Sequence, residues 1–212
     1  MNLISLNISM PVTIDYKGKL LETGIFKEPV NRSLMLSFSQ LEGDGQGDMI
    51  NHGGEDKAVC VYCEEHYSYW EDKLQRKLSY GAFGENFTVT GLLESDIHIG
   101  DIFAVGEAVV QVSQPRQPCF KLGWKHKMPE LPEQVQDTGF TGYYFRVLKE
   151  GTVSAGDDIR LIERHALAIT AAEANRLKYH DKTDLAGIHT LLAVEALADS
   201  WRKSFEKRLK SE

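Results

Sequence analysis

Short runs of alternating apolar and polar residues dominate the first three quarters of the chain. Leu3 to Ile8 and Ala58 to Tyr62 read as strands. Ile102-Phe103-Ala104-Val105 and Ala108-Val109-Val110-Gln111-Val112 flank Gly106-Glu107, a Gly-X pair suited to a tight hairpin turn. Tyr143 to Leu148 and Asp158 to Ile162 form a second expected pair, separated by Gly151 and Gly156. One helix is expected among them, over about Glu64 to Lys77, because Tyr67, Trp70 and Leu74 fall at helical spacing. Frequent short strands with glycine turns predict a mainly β fold, a closed or nearly closed barrel with a few helices.

The pattern changes near Glu163. Thr170-Ala171-Ala172-Glu173 has the form of a capping box and is followed by helix formers to Tyr179. Asp184 is placed to cap a second helix through Ile188, Leu191 and Leu192. A third contains Leu197, Trp201, Phe205 and Leu209, four residues apart along one stripe. The expected division is a barrel domain over 1–163 and a small three-helix unit over 164–212.

Between the strands, Ser113-Gln114-Pro115-Arg116-Gln117-Pro118-Cys119 places a cysteine behind two prolines and an arginine. The prolines stop the strand and stiffen the loop, and a permanently charged arginine three residues away favours a thiolate over a thiol. Two readings are open. Cys119 is either a small buried hydrophobe beside a structural arginine, or a rigidly held thiolate for a metal or a nucleophilic reaction.

Composition narrows the setting. A chain of 212 residues can bury a large core without disulfides, and three cysteines in no dense framework fit a reducing compartment. The first basic residue is Lys17, so no secretory leader is expected, and no apolar run is long enough to span a bilayer. A cytoplasmic location is expected, with no membrane partner. The net charge of −7 gives no general nucleic-acid surface. Arg202, Lys203, Lys207, Arg208 and Lys210 read as a solvated helix face that can also serve an acidic partner.

Other segments carry candidate chemistry beside plainer readings. His52-Gly53-Gly54-Glu55-Asp56-Lys57 is either an anion-facing turn or an ordinary polar one. Gly81 to Phe87 is a glycine-punctuated loop without the lysine of a phosphate-binding P-loop. Cys60-Val61-Tyr62-Cys63 has dithiol spacing, but within a strand residues three apart face opposite ways, which favours core packing. A structural zinc site lacks a second cysteine pair. Arg32 and Lys27 can bring positive charge to the same pocket, and Asp44 and Asp48 can orient basic groups or solvate a turn.

Four blocks in this order resemble the MOSC family, named for the carboxy-terminal domain of molybdenum cofactor sulfurases. They are His52-Gly-Gly-Glu-Asp-Lys-Ala-Val59, Gly84-Glu-Asn-Phe87, Ser113-Gln-Pro-Arg-Gln-Pro-Cys119 and Arg146-Val-Leu-Lys-Glu-Gly-Thr-Val-Ser-Ala-Gly-Asp157. The residues after Glu163 look like the three-helix appendage of the YiiM-like branch. The resemblance implies a MOSC-type β-barrel whose pocket binds the molybdenum–pterin cofactor, molybdopterin. It implies Cys119 as the catalytic thiolate ligand of molybdenum, with Arg116, His52, Lys57, Arg32 and Asn86 gripping the pterin and phosphate. A soft thiolate suits such a metal, and a phosphate needs cationic and N–H partners. Asp56 is expected to orient its neighbours. Cys63 departs from the branch, where a proline or another non-thiol residue is expected, and has no place in the implied site.

The implied activity is reduction of N-hydroxylated compounds, such as hydroxylaminopurine base analogues, to amines. The cysteines lack cluster-binding spacing, so electrons are expected from a separate flavin or iron–sulfur reductase docking on the C-terminal helices. No pyridoxal phosphate is expected. Two rivals are a sulfur or molybdenum cofactor carrier, in which Cys119 holds a persulfide or hands over cofactor without turnover, and an interaction domain with an inert cysteine.

Overall fold

The computed structural model describes residues 1–47 and 53–210. Its strands are β1 (Asn2–Ile8), β2 (Val12–Tyr16), β3 (Lys19–Thr23), β4 (Glu28–Val30), β5 (Leu34–Leu36), β6 (Val59–Cys63), β7 (Phe87–Thr90), β8 (Ile102–Val105), β9 (Ala108–Pro115), β10 (Tyr143–Lys149), β11 (Gly151–Val153) and β12 (Ile159–Glu163). Helix α1 (Tyr67–Leu74) follows β6, while α2 (Phe120–His126) and α3 (Leu131–Thr138) lie between β9 and β10. The chain closes with α4 (Ala171–Asn175), a π-helical turn over Arg176–His180, α5 (Leu185–Leu192) and α6 (Asp199–Leu209).

Eight strands make one sheet in the order β12-β8-β9-β10-β6-β7-β1-β4. Its neighbours are antiparallel except β6 and β7, which run parallel because α1 carries the chain back between them. The sheet curls until β1 meets the entry to β12. Leu3 N–H donates to Asp157 O at 2.9 Å, Gly156 N–H to Leu3 O at 2.7 Å and Ile159 N–H to Met1 O at 2.8 Å. These bonds nearly close the barrel and remove most of its exposed edge. A register shift between Leu3 and Ser5 lets both Leu3 and Leu6 reach the core, although residues three apart in a regular strand face opposite sides.

Alternation along the central strands sorts side chains between two environments. Val59, Val61 and Cys63 of β6 enter the main core, as do Tyr143, Phe145 and Val147 of β10. Cys60 and Tyr144 point the other way, into a cleft, and Tyr62 enters a second core with Phe83, Trp70 and Leu122. That aromatic cluster, with Tyr62 stacked on Phe83 at 4.2 Å, supports α2 and hence the loop before it.

The C-terminal helices share the barrel's core. Ala171, Leu177, Ile188, Leu191, Trp201 and Phe205 belong to the same buried cluster as Val110, Val112 and Phe103. Thr170 caps α4 by accepting from Glu173 N–H at 3.0 Å, and Asp184 caps α5 by accepting from Gly187 N–H at 2.8 Å. Arg202 donates to the carbonyls of Leu192 and Val194, and Arg208 to those of Leu177 and Lys178, so two members of the basic helix face are committed inside the unit. Among the described residues, no helix is long and apolar enough to cross a membrane.

Two sequence expectations change. Strands β10 and β12 do not pair with each other: β10 lies between β9 and β6, and β12 adds to β8. Between them, β11 leaves the main sheet to pair with β5. The α-helix expected to reach Lys77 ends at Leu74, where Gln75 takes a left-handed conformation at φ 52° and closes it.

Candidate cofactor pocket

Strand β9 ends at Pro115, which still pairs with Tyr143. Arg116 then donates its backbone N–H to Gly142 O at 3.0 Å. Cys119, half-buried, is the residue before α2 in extended conformation, with φ −120° and ψ 165°. The loop between is therefore clamped by the sheet on one side and by α2 on the other.

Arg116, Gln117 and Cys119 line a cleft of about 640 Å³, its open mouth included. Lys27, Asp44, Lys57, Cys60, Asn86, Lys121 and Tyr144 line it too, with the glycine-rich Gly45–Gln46–Gly47 turn. Among the described lining residues, four cations (Lys27, Lys57, Arg116 and Lys121) face a single carboxylate, Asp44. The potential suits an anionic ligand. Arg116 is only 6% exposed, and its Nη1 has no hydrogen-bond partner among the described residues. Burial opposes its charge, yet its pKa is raised, because negative charge on Cys60, Tyr144, Cys119 or Glu85, wherever these ionise, favours the guanidinium. It is a permanent, buried, incompletely satisfied cation.

Asp44 organises the opposite wall. It accepts from Lys27 Nζ at 2.5 Å, from Ser9 N–H at 2.9 Å and from Asn86 Nδ2 at 2.9 Å. Asn86 also donates to Asn7 O at 3.3 Å and accepts from Cys60 N–H at 3.1 Å. Its amide is thus spent on joining three segments around the cleft. Glu85, fully buried, accepts from Tyr67 Oη, from Gly81 N–H at 2.8 Å, Phe83 N–H at 3.0 Å and Thr88 Oγ1 at 3.0 Å. The Gly81–Phe87 loop is a brace built on that carboxylate. Gly81 itself has φ 82°, and a Cβ there would stand 2.5 Å from Lys27 O, so no larger residue fits.

A sequence profile of the MOSC domain matches residues 48–160, and one of the YiiM-like 3-alpha helix domain matches residues 169–212. The chain belongs to the MOSC family, in its YiiM-like branch. This MOSC protein is 53% identical to YflK of Bacillus subtilis (strain 168), over 98% of its own length and 94% of that relative. It superposes on the crystal structure of YiiM from Geobacillus stearothermophilus with a TM-score of 0.85, at 41% identity and 98% coverage of both chains. A Gibberella moniliformis protein named Reductase is 36% identical over 69% of this chain, which spans 27% of that larger protein.

The MOSC cleft gathers Cys119, Arg116, Lys57 and Asn86. Arg32 stands apart from the lining: its half-exposed side chain pairs with Glu42 Oε1 at 3.0 Å. His52 and Asp48 lie outside the described residues. Asp56 lies behind the cleft, binding Arg146 Nε at 3.0 Å and Nη2 at 2.5 Å, and so ties the first matching block to the fourth. Cys60 faces the cleft, where burial pushes its thiol up to about 11, more than Arg116 lowers it. Cys63 faces the core on the other side of β6, so the two cysteines form no dithiol unit.

Sequence reasoning missed Lys121 and Tyr144 as lining residues. Tyr144 was legible as the outward member of an alternating strand. Lys121 was not, because α2 is only seven residues long and was not read as a helix. Its Nζ donates to Glu22 O at 3.2 Å, joining α2 to the β2–β3 hairpin.

Proposed function

We propose that this MOSC protein is a molybdenum cofactor-dependent reductase that converts N-hydroxylated compounds, such as hydroxylaminopurine base analogues, to amines. Cys119 would be the protein's thiolate ligand to molybdenum. One observation carries the reading: a half-buried thiol on a proline-stiffened loop shares a cleft with a buried guanidinium whose Nη1 lacks a partner among the described residues. The residues fit the group. A thiolate is a soft donor, while Arg116, Lys57, Lys27 and Lys121 supply charge for a phosphate.

When bound, the molybdenum centre supplies the two-electron chemistry that cleaves an N–O bond. Cys119 would hold the metal on its proline-stiffened loop. Arg116 would neutralise anionic charge on the bound group, and its Nη1 would supply a hydrogen bond in a buried site. Lys27 is oriented by Asp44, and Asn86 holds Asp44 in turn. Burial raises the pKa of both Cys60 and Tyr144, so each keeps its proton at neutral pH and faces the cleft as a donor. The relative named Reductase supports a redox role. Electrons would reach the cleft from a separate flavin or iron–sulfur reductase.

Full-length protein from a cofactor-competent host, given hydroxylaminopurine and reduced methyl viologen, should release the amine. Cys119→Ala should not. A wild-type protein that carries the cofactor but never turns over, with this or other N-hydroxylated substrates, would instead be a carrier.

A further inference from the structure

We propose that Cys63, His66 and Glu94 form a buried divalent-metal site, suited to zinc and separate from the molybdenum cofactor cleft. The alternation of β6 separates the two places: Cys60 lines the cleft, while Cys63 points into the core on the opposite face. Directly after β6, a 3-10 turn over Glu64–His66 brings His66 back towards Cys63, giving a C-x-x-H spacing. Glu94 arrives from the segment after β7. One ligand atom from each, thiol sulfur, imidazole nitrogen and carboxylate oxygen, lies within 4.8 Å of the other two. All three side chains are buried.

The charges balance for a dication. A thiolate, a neutral imidazole and a carboxylate carry two negative charges between them, which one zinc ion balances, and binding releases the protons those ligands hold. A mixed sulfur, nitrogen and oxygen donor set selects zinc over magnesium or calcium, which prefer oxygen alone. Leu92 O accepts from Cys63 Sγ at 3.0 Å and from Tyr143 Oη at 3.1 Å, which holds the thiol in place beside the other two ligands.

The surroundings hold the ligands as metal sites require. The second oxygen of Glu94 accepts from Gly142 N–H at 2.7 Å. The His66 ring stacks on Phe140 at 3.9 Å between centroids, which fixes its plane. His66 Nε2 and Glu94 Oε2 are 2.8 Å apart. Bonds of about 2.0–2.1 Å in a tetrahedral site put such atoms roughly 3.3 Å apart, so the pair must open by about half an ångström. The site would be structural, closed to solvent and linked to the cleft through one residue. Gly142 donates to Glu94 and accepts the backbone N–H of Arg116.

The test uses the full chain produced in zinc-supplemented medium and washed with a weak chelator. Elemental analysis should find about one zinc per wild-type chain. Cys63→Ser and Glu94→Gln should lose it, while Cys60→Ser keeps it. Protein made with cobalt should show thiolate-to-cobalt charge-transfer absorption that Cys63→Ser lacks. Near-ultraviolet circular dichroism checks that each variant is folded; if Cys63→Ser does not fold, Glu94→Gln and the wild-type cobalt spectrum carry the test. Wild-type protein with neither zinc nor cobalt–thiolate absorption overturns the proposal, as does zinc that is unchanged in Cys63→Ser or Glu94→Gln. The three side chains would then be a hydrogen-bonded core cluster. Molybdenum content is not part of the readout, so this result is independent of the reductase reading.

Discussion

Arg116 concentrates the tension in the cleft. A buried guanidinium with an unpartnered Nη1 costs on the order of 1–3 kcal/mol in the cofactor-free chain. Replacing an incompletely paired buried charge with an apolar side chain of similar length is often neutral or stabilising. Cofactor-free Arg116→Met should therefore unfold at a denaturant midpoint no lower than wild type. The same variant should retain pterin about tenfold less well or worse, because a charge-assisted hydrogen bond is worth roughly 1.5–3 kcal/mol. Loss of stability with unchanged retention would make Arg116 a structural residue. The motif that holds Arg116 and Cys119 was readable residue by residue, because rigid prolines, a cation and a thiol are local features. What Asn86 does was not. Its amide is consumed by Asp44, Cys60 and Asn7, contacts that depend on how distant segments meet.

Among the elements, α6 is joined to the strand that carries the cleft loop. Ala198 N–H donates to Ser113 O at 3.0 Å, Ser200 Oγ to Gln114 Oε1 at 2.9 Å and Asp199 N–H to Asp56 Oδ2 at 3.3 Å. Trp201, fully buried, anchors the helix in the barrel core. Trp201→Ala should destabilise the whole chain by about 3–5 kcal/mol in one cooperative transition. A separate early transition of the helices alone would mean that they fold independently. The C-terminal helices were legible because their caps and apolar stripe are local signals. The β8–β9 hairpin was legible for the same reason. Helices α2 and α3 were not, since each is a seven- or eight-residue segment among glycines and prolines, held by the second aromatic core. The β2–β3 hairpin did carry a local signal that went unread. Lys17-Gly18, both at positive φ, joins two alternating runs. The pairing of β12 with β8 had no local signal, because strand partners are chosen by the closing of the barrel.

At the scale of the molecule, a barrel, a helical unit fused to its core and a cationic cleft all converge on one loop. The MOSC assignment follows from the sequence blocks and the fold together. The proposed molybdenum cofactor rests on the cleft's chemistry. The most direct measurement is molybdenum and pterin per chain in full-length protein from a cofactor-competent host, for wild type, Cys119→Ala and Cys60→Ala. The cleft chemistry predicts that wild type and Cys60→Ala carry molybdenum and that Cys119→Ala has lost it while remaining folded. Equal molybdenum in wild type and Cys119→Ala, or none in any of them, would contradict Cys119 as the metal's protein ligand.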